Sequence, residues 1–497
     1  MAHRLSKTKF SQGRQCHKQL WWRTHEKASP ELAVDDGTQA IFDQAHEVGR
    51  MARDHIPGGV LIDRKPWEHA DSVAATRAAL SAGARVIHEA GFLADGVFVA
   101  VDILVKEPDG FTLIEVKMGL SVKPEHYADA AIQTYVARKS GMDVRRVEIM
   151  HLSRDCVFPD LSNLFVRQDV TEEVEKLLPA IPEEIAAQLS MLELGVPAVD
   201  PGDHCRKPRA CCFWDRCWPS VPQDHVSTLY QIGKRARSFV EQGYHLISEL
   251  PESIALNDTA QRQRMAVVSG QMVVEDNLGP ALSVITPPVA FLDFESVMVA
   301  IPRWDGCRPF QNVPVQFSCH TLDAGGHQGQ SGWIATGSGD PRRELATELV
   351  AACADAQTIV AYNSSFEAGC IDTLISAAPE LADALLAIKA KLCDALPIVR
   401  QNVYHPAFGG SFDLKTVLPV LVPDLTYEGL PIHDGRTASR ELARLIFAGA
   451  SMSDSEKETL RKDLSDYCSL DTLAMVRLVD ALRSLSGRGI LPPYAFP

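Results

Sequence analysis

Residues Val289–Leu292 form an unbroken apolar run that ends on Asp293-Phe294-Glu295. A short run that is apolar at every position suits a strand buried on both faces, as in sheets covered by helices. Side chains alternate along a strand, so Asp293 and Glu295 share one face while Phe294 takes the other. The elements that follow keep an α/β order: a strand around Val313–Cys319, a helix around Arg342–Ala356, a strand at Thr358–Tyr362, and a helical pattern from about Ser453 to Leu485. This order predicts an α/β domain over about residues 286–497 with two carboxylates at the end of its first strand. Two such acids make a cradle for a divalent cation, although acids also end strands merely to meet solvent.

Two further motifs fall in the same region. Tyr362-Asn363-Ser364-Ser365-Phe366-Glu367 reads as a strand-to-helix junction, with Asn363 as the cap and Glu367 in the first helical turn. Tyr467 and Asp471 are four apart in the late helical pattern, which places phenol and carboxylate on one helical face. Together the three motifs resemble the DEDD exonucleases of the DnaQ-like, ribonuclease H-like fold, in the variant with Tyr four residues before the last Asp. The resemblance implies that Asp293, Glu295, Glu367 and Asp471 carry two Mg²⁺ or Mn²⁺ ions and that Tyr467 orients the attacking water. It also implies removal of nucleoside 5′-monophosphates from a 3′ end. Glu367 stands where that family usually has Asp, one methylene shorter.

At 497 residues the chain exceeds one ordinary core, so two or three domains are expected. A first region, 1–220, contains strand patterns at Gly96–Val105 and Phe111–Lys117 around a turn at Glu107–Gly110, then helical periodicity over Tyr127–Lys139. A second, 221–285, is helical and polar, a linker whose spacing is also found in helix-hairpin-helix modules. The third is the α/β region already described.

In the first region the hairpin carries Asp102 on one strand and Glu115 and Lys117, two apart and so on one face, on the other. An ion pair across two strands would look the same. The pattern resembles the PD-(D/E)XK nucleases of the RecB-like group, with Gln133 and Tyr135 similar to that group's later glutamine/tyrosine motif. The resemblance implies metal binding by Asp102 and Glu115, with His46 or Glu89 as an extra ligand. Lys117 would activate water or stabilise the transition state, and Gln133 would complete the site.

Twelve cysteines divide into scattered residues in apolar surroundings and a crowd at Cys205, Cys211, Cys212 and Cys217. Cys16 with Cys205, Cys211 and Cys217 resembles the iron–sulfur staple of AddB-type and CRISPR-adaptation RecB-like nucleases. That resemblance implies a [4Fe–4S] cluster, with Zn²⁺ as the alternative occupant.

Net charge and hydropathy bound the partners. A net charge of −15 argues against a protein that coats nucleic acid by bulk electrostatics, but basic clusters occur locally at Arg4, Lys7, Lys9, Arg14, Lys18 and Arg23 and at Arg206, Lys207, Arg209 and Arg216. The longest apolar stretches, Thr358–Tyr362 and Val417–Val422, fall far short of the ~20 residues of a membrane span. The polar start Met1–Lys9 points to a cytoplasmic address. The expectation is a metal-dependent nuclease acting on DNA, single-stranded or with free ends, with RNA as the other polymer. The competing expectation is a catalytically silent nucleic-acid adaptor held together by a metal cluster. Protein partners are not legible.

Overall fold

The computed structural model describes residues 4–65, 67–218 and 220–487. The remaining residues of the 1–220 and 286–497 regions lie outside that description. The chain has mixed α/β character and divides into two compact units. Unit 1 is Met1–Ser220 with Val299–Gln311, and unit 2 is Val221–Met298 with Asn312–Pro497. The division differs from the three-region reading in two places. Segment 221–285 belongs to unit 2, where Val273–Val274 pairs antiparallel with Val403–Tyr404. Segment 299–311 belongs to unit 1, where Ala300 N–H donates to Gln44 and Arg303 pairs with Glu47 at 2.7 Å. No helix among the described residues is long and apolar enough to cross a membrane.

Unit 1 is built on a seven-stranded sheet. Strands Val86–Ala94, Val97–Glu107 and Gly110–Lys117 are successive antiparallel neighbours, and Gly110–Lys117 then pairs parallel with Val144–Leu152. The parallel step needs a crossover, which the helix Pro124–Lys139 supplies. That helix presents Ala130, Ala131, Val136 and Ala137 to the sheet, small residues that let it pack closely. The central strand has two partners on one edge. Its second half pairs with Gly110–Lys117 from Ile103 onward, while its beginning pairs with Leu5–Ser6 (Leu5 opposite Val97). Between these partners the strands part at Asp102.

Unit 2 centres on a five-stranded sheet ordered Gln328–Ile334, Asn312–Leu322, Val289–Met298, Thr358–Ala361 and Leu392–Asp394, the last three mutually parallel. The first strand is buried on both faces, as its apolar run predicts. Ala290, Leu292 and Phe294 join one core with the helices Arg342–Ala352 and Ser365–Ala377, whereas Val289 and Phe291 join another with Met475, Val476, Val479 and Leu482 of the helix Asp454–Leu485. Asp293 and Glu295 therefore belong to the face covered by the long helix. Polar groups pin that helix along its length as well. Thr472 hydroxyl bonds Ser318 and His320, all three buried, and Gln316 donates to the Leu464 carbonyl at 3.0 Å. A buried polar pair unmade costs about 1–3 kcal/mol, so these contacts penalise sliding of the helix by one turn.

Candidate metal and nucleic-acid sites

In unit 2, Asp293, Glu295 and Asp471 each offer a carboxylate oxygen, and the three oxygens lie within 4.8 Å of one another. Strand alternation delivers the first two, and the pinned long helix delivers the third. Like charges this close, out of water, resist ionisation together. Burial, and then Asp471 beside it, push Glu295 up to about 8. Burial and the three neighbouring acids push Asp293 well above the ordinary range, and burial raises Asp471. Such a group gains most from a bound cation.

Glu367 does not belong to that close trio, but it stands near enough to raise Asp293. It is 2% exposed, burial pushes it up to about 7, and its Oε2 has no hydrogen-bond partner. The local geometry differs from the sequence reading. Ser364 stands at the N-cap position of the helix Ser365–Ala377 without a capping side-chain hydrogen bond, and Asn363 adopts a left-handed conformation (φ 71°) with its N–H donating to Asp394 at 2.9 Å. Asn tolerates that region better than most residues, and its side chain is accordingly not the cap.

Tyr467 is buried and hydrogen-bonded to Asp471. Two partners were missed in the sequence. Lys415 Nζ donates to the Tyr467 hydroxyl at 2.9 Å and the His433 carbonyl at 2.6 Å, and lies 4.7 and 4.9 Å from the Tyr467 and Tyr427 ring centres. Tyr427 hydroxyl donates to Asp471 at 2.6 Å. Burial and Asp471 raise both phenols far above their ordinary value, so they are hydrogen-bond donors at any working pH. Neither Lys415 nor Tyr427 sits in a periodic pattern with the motif residues, so no local signal marks them.

In unit 1 the parting of the strands gathers the second set. The Val116 N–H donates to Asp102 at 2.7 Å, a bond the carboxylate makes beside the end of the strand ladder. Glu89 lies across the central strand from Asp102, between the pairs His88–Ile103 and Ala90–Val101. Its φ of 59° is an uncommon conformation for Glu, of the kind that concentrates at functional sites. Gln133 donates to Glu115 at 2.5 Å, and Lys117 pairs with Glu115 at 2.8 Å and with Asp129 at 2.6 Å. His46 is exposed but close enough to bear on the charge of Glu89, which Arg53 also approaches at 3.6 Å. Tyr135 points elsewhere, to Asp95.

Lys7 and Asp129 are additions to this set. Because Leu5–Ser6 pairs beside the split, the next residue, Lys7, enters it and meets Glu115 at 2.9 Å. Burial would lower Lys7, yet Glu115 and Asp102 more than reverse this and hold it above its ordinary value. Burial likewise would raise Glu115, but Lys117 and Lys7 hold it well below the carboxylate range. Asp102, buried beside Glu115, is pushed up to about 8. In the sequence Lys7 reads as one of several N-terminal basic residues, with nothing to single it out.

Cys16, Cys205, Cys211 and Cys217 line one cavity with Trp22, Phe213 and Trp214, and all are free thiols. Burial raises Cys211 and Cys217, and the neighbouring Cys16 and Cys205 add to it. Among the described residues no three of these sulfurs lie within 4.8 Å of one another. Cys212 does not line the cavity and accepts from Arg23 at 3.1 Å.

Residues 290–413 match the model of a family described as Domain of unknown function (DUF2779). The matched span includes Asp293, Glu295 and Glu367 and ends before Lys415, Tyr467 and Asp471. No curated protein matches the chain.

Proposed function

We propose that the protein is a metal-dependent nuclease with two phosphodiesterase sites: a 3′→5′ exonuclease site of the DEDD, ribonuclease H-like type in unit 2, and a RecB-like PD-(D/E)XK site in unit 1. The observation that carries the proposal is the trio Asp293, Glu295 and Asp471, with the buried, unpartnered Glu367 oxygen beside it. This donor set fits hard cations such as Mg²⁺ or Mn²⁺, which take oxygen ligands. Asp293, Glu295 and Asp471 would hold them, with Glu367 as the fourth acid. Bound there, they supply charge stabilisation for an in-line phosphoryl transfer and lower the pKa of bound water.

The chain's own groups do the rest. The Tyr467 phenol, neutral and fixed by accepting from Lys415 and donating to Asp471, keeps an oxygen lone pair that accepts from a water and orients it for attack on a phosphate. Tyr427 holds the Asp471 carboxylate in place. In unit 1, Asp102 and Glu115 are the acids suited to a cation and Lys117 is the cation suited to a phosphate oxygen, with Gln133 fixing Glu115.

Cys16, Cys205, Cys211 and Cys217 would hold a [4Fe–4S] cluster that ties the first residues of unit 1 to its last. The support for this reading is that the four thiols line one cavity, and Zn²⁺ is the alternative occupant. DNA with a free end is the favoured substrate.

End-labelled single- and double-stranded DNA and RNA, incubated with Mg²⁺ or Mn²⁺, test the assignment. Asp293→Ala should slow 3′-end degradation on the order of 10³-fold, the loss of several kcal/mol of charge stabilisation. Lys117→Ala should spare that activity and remove a second one. Intact 3′-end degradation in Asp293→Ala sinks the unit 2 assignment, and no change on any substrate in Lys117→Ala reduces unit 1 to a binding module.

A further inference from the structure

A groove of about 850 Å³ in unit 1 follows one face of the helix Lys7–Gln15, from Lys117 of the acidic site to the cysteine-flanked loop 204–210. Its lining carries six cations, Lys7, Arg14, Arg23, Lys117, Lys207 and Arg209, against two carboxylates, Glu125 and Asp129. In a chain with a net charge of −15 this is a local reversal of sign. It is a surface for polyanions.

The cations differ in how far they are already used. Lys7 and Lys117 pair with Glu115, Arg14 with Glu184 at 2.9 Å, and Arg23 donates to Cys212. Lys207 and Arg209 are exposed, and neither pairs with a carboxylate among the described residues. Their backbone is nevertheless held. Gln15, in the turn before Cys16, donates from one amide to both the His204 and Arg209 carbonyls, each at 2.7 Å. Cys205 and Cys211, which line the cysteine cavity, bracket residues 206–210 of the same loop. One nine-residue helix thus places Lys7 in the acidic site at its start and fixes the Lys207/Arg209 wall at its end.

The shape and chemistry select the ligand. Among the described residues no Phe, Tyr or Trp lines the groove, His204 at its far end is its one ring, and Pro124, Ala128, Pro208 and Ala210 supply its apolar part, so stacking platforms are sparse and phosphates are what its cations grip. Its volume is that of a small-ligand cleft, ~300–1,000 Å³, which takes a few nucleotides of one strand rather than a double helix.

We infer that this groove is the path along which one nucleic-acid strand reaches Lys117, with Lys207 and Arg209 taking its phosphates and the cysteine-held loop serving as its far wall. The destination rests on the nuclease reading of unit 1, whereas the binding does not.

The test is fluorescence anisotropy of a labelled oligothymidylate with the full-length protein in EDTA across a NaCl series. The variant Lys207→Gln/Arg209→Gln is compared with wild type and with Arg77→Gln/Arg85→Gln, which removes the same charge from exposed positions outside the groove. Losing two phosphate contacts at ~0.7 each should make the salt slope shallower by about 1.4 and weaken binding roughly 25-fold at 0.1 M salt. The control pair should stay near wild type, and a hairpin-capped duplex should bind weakly to all three. Circular dichroism melting confirms that the variants fold alike. Unchanged affinity and slope in Lys207→Gln/Arg209→Gln overturn the inference, as does an equal loss in the control pair or on the duplex. Strand binding with this dependence but no cleavage by wild type with any metal would leave the groove standing and remove the nuclease reading. Cleavage that persists while the variant binds normally would remove only the groove.

Discussion

In unit 1, Glu115 faces Lys7 and Lys117 at 2.9 and 2.8 Å, whereas in unit 2 Asp293, Glu295 and Asp471 have one lysine near them, Lys415, which bonds a phenol and a carbonyl. The same residue type therefore meets opposite fates. Glu115 is held ionised, well below its ordinary pKa, and Glu295 is pushed up to about 8. Unit 1 carries its own counter-charges, and a metal entering there has to compete with Lys7. Unit 2 keeps a surplus of negative charge that an added cation relieves. The two sites are expected to answer metal, pH and mutation differently.

The largest difference should appear with pH in metal-free protein. Glu295 has a folded pKa of about 8 against 4.5 unfolded, so its contribution to stability is full below pH 4.5 and is lost as pH rises through 8. The shift corresponds to about 5 kcal/mol as an upper figure, since the acids titrate together. Glu115 has the opposite sign, contributing above its unfolded value of 4.5 and losing that contribution as pH falls toward its depressed folded pKa. Thermal melts of the full chain should show the unit 2 transition moving down from pH 5 to pH 8 and Mg²⁺ or Mn²⁺ raising it more at pH 8. A Mg²⁺ response equal at both pH values would break the contrast.

Next in size is Glu115→Gln. It leaves Lys7 and Lys117 with one fewer buried counter-charge and should destabilise unit 1 by about 3 kcal/mol, somewhat less than a fully broken buried pair because Asp129 still holds Lys117. Chemical denaturation monitored by the tryptophans measures it. A neutral or stabilising result would mean that the lysines are solvated and that unit 1 is not internally balanced.

The smallest expected effect is Lys415→Met, which removes the cation fixing Tyr467 while preserving the apolar stem. Cleavage from the 3′ end should fall about 10–100-fold, the usual scale for a group that orients a ligand or catalytic residue. Lys415→Arg should recover part of the rate, whereas a role in packing alone would be met equally well by Met.

Much of this was legible in the sequence wherever a short-range period decides the geometry. Two-residue alternation placed Asp293 and Glu295 opposite Phe294, and likewise Glu115 with Lys117. The four-residue helical repeat put Tyr467 and Asp471 on one face, and the structure brings Asp471 to the strand acids. The junction before Glu367 reads as a strand-to-helix turn, but the N-cap position falls one residue later, at Ser364, which makes no capping side-chain bond, and Asn363 has a left-handed backbone. What had no local period was not legible. Lys7 lies 108 residues from Glu115, and Lys415 lies 52 from Tyr467, distances over which a sequence holds no trace of pairing.

The sequence by itself determined the alternating elements and the face on which each acid emerges, because these follow from backbone dihedrals that a few neighbouring residues control. Only the tertiary structure decided which cations stand against those acids and that segment 299–311 belongs to unit 1. These are long-range pairings, chosen by burial and charge balance once the strands and helices have packed.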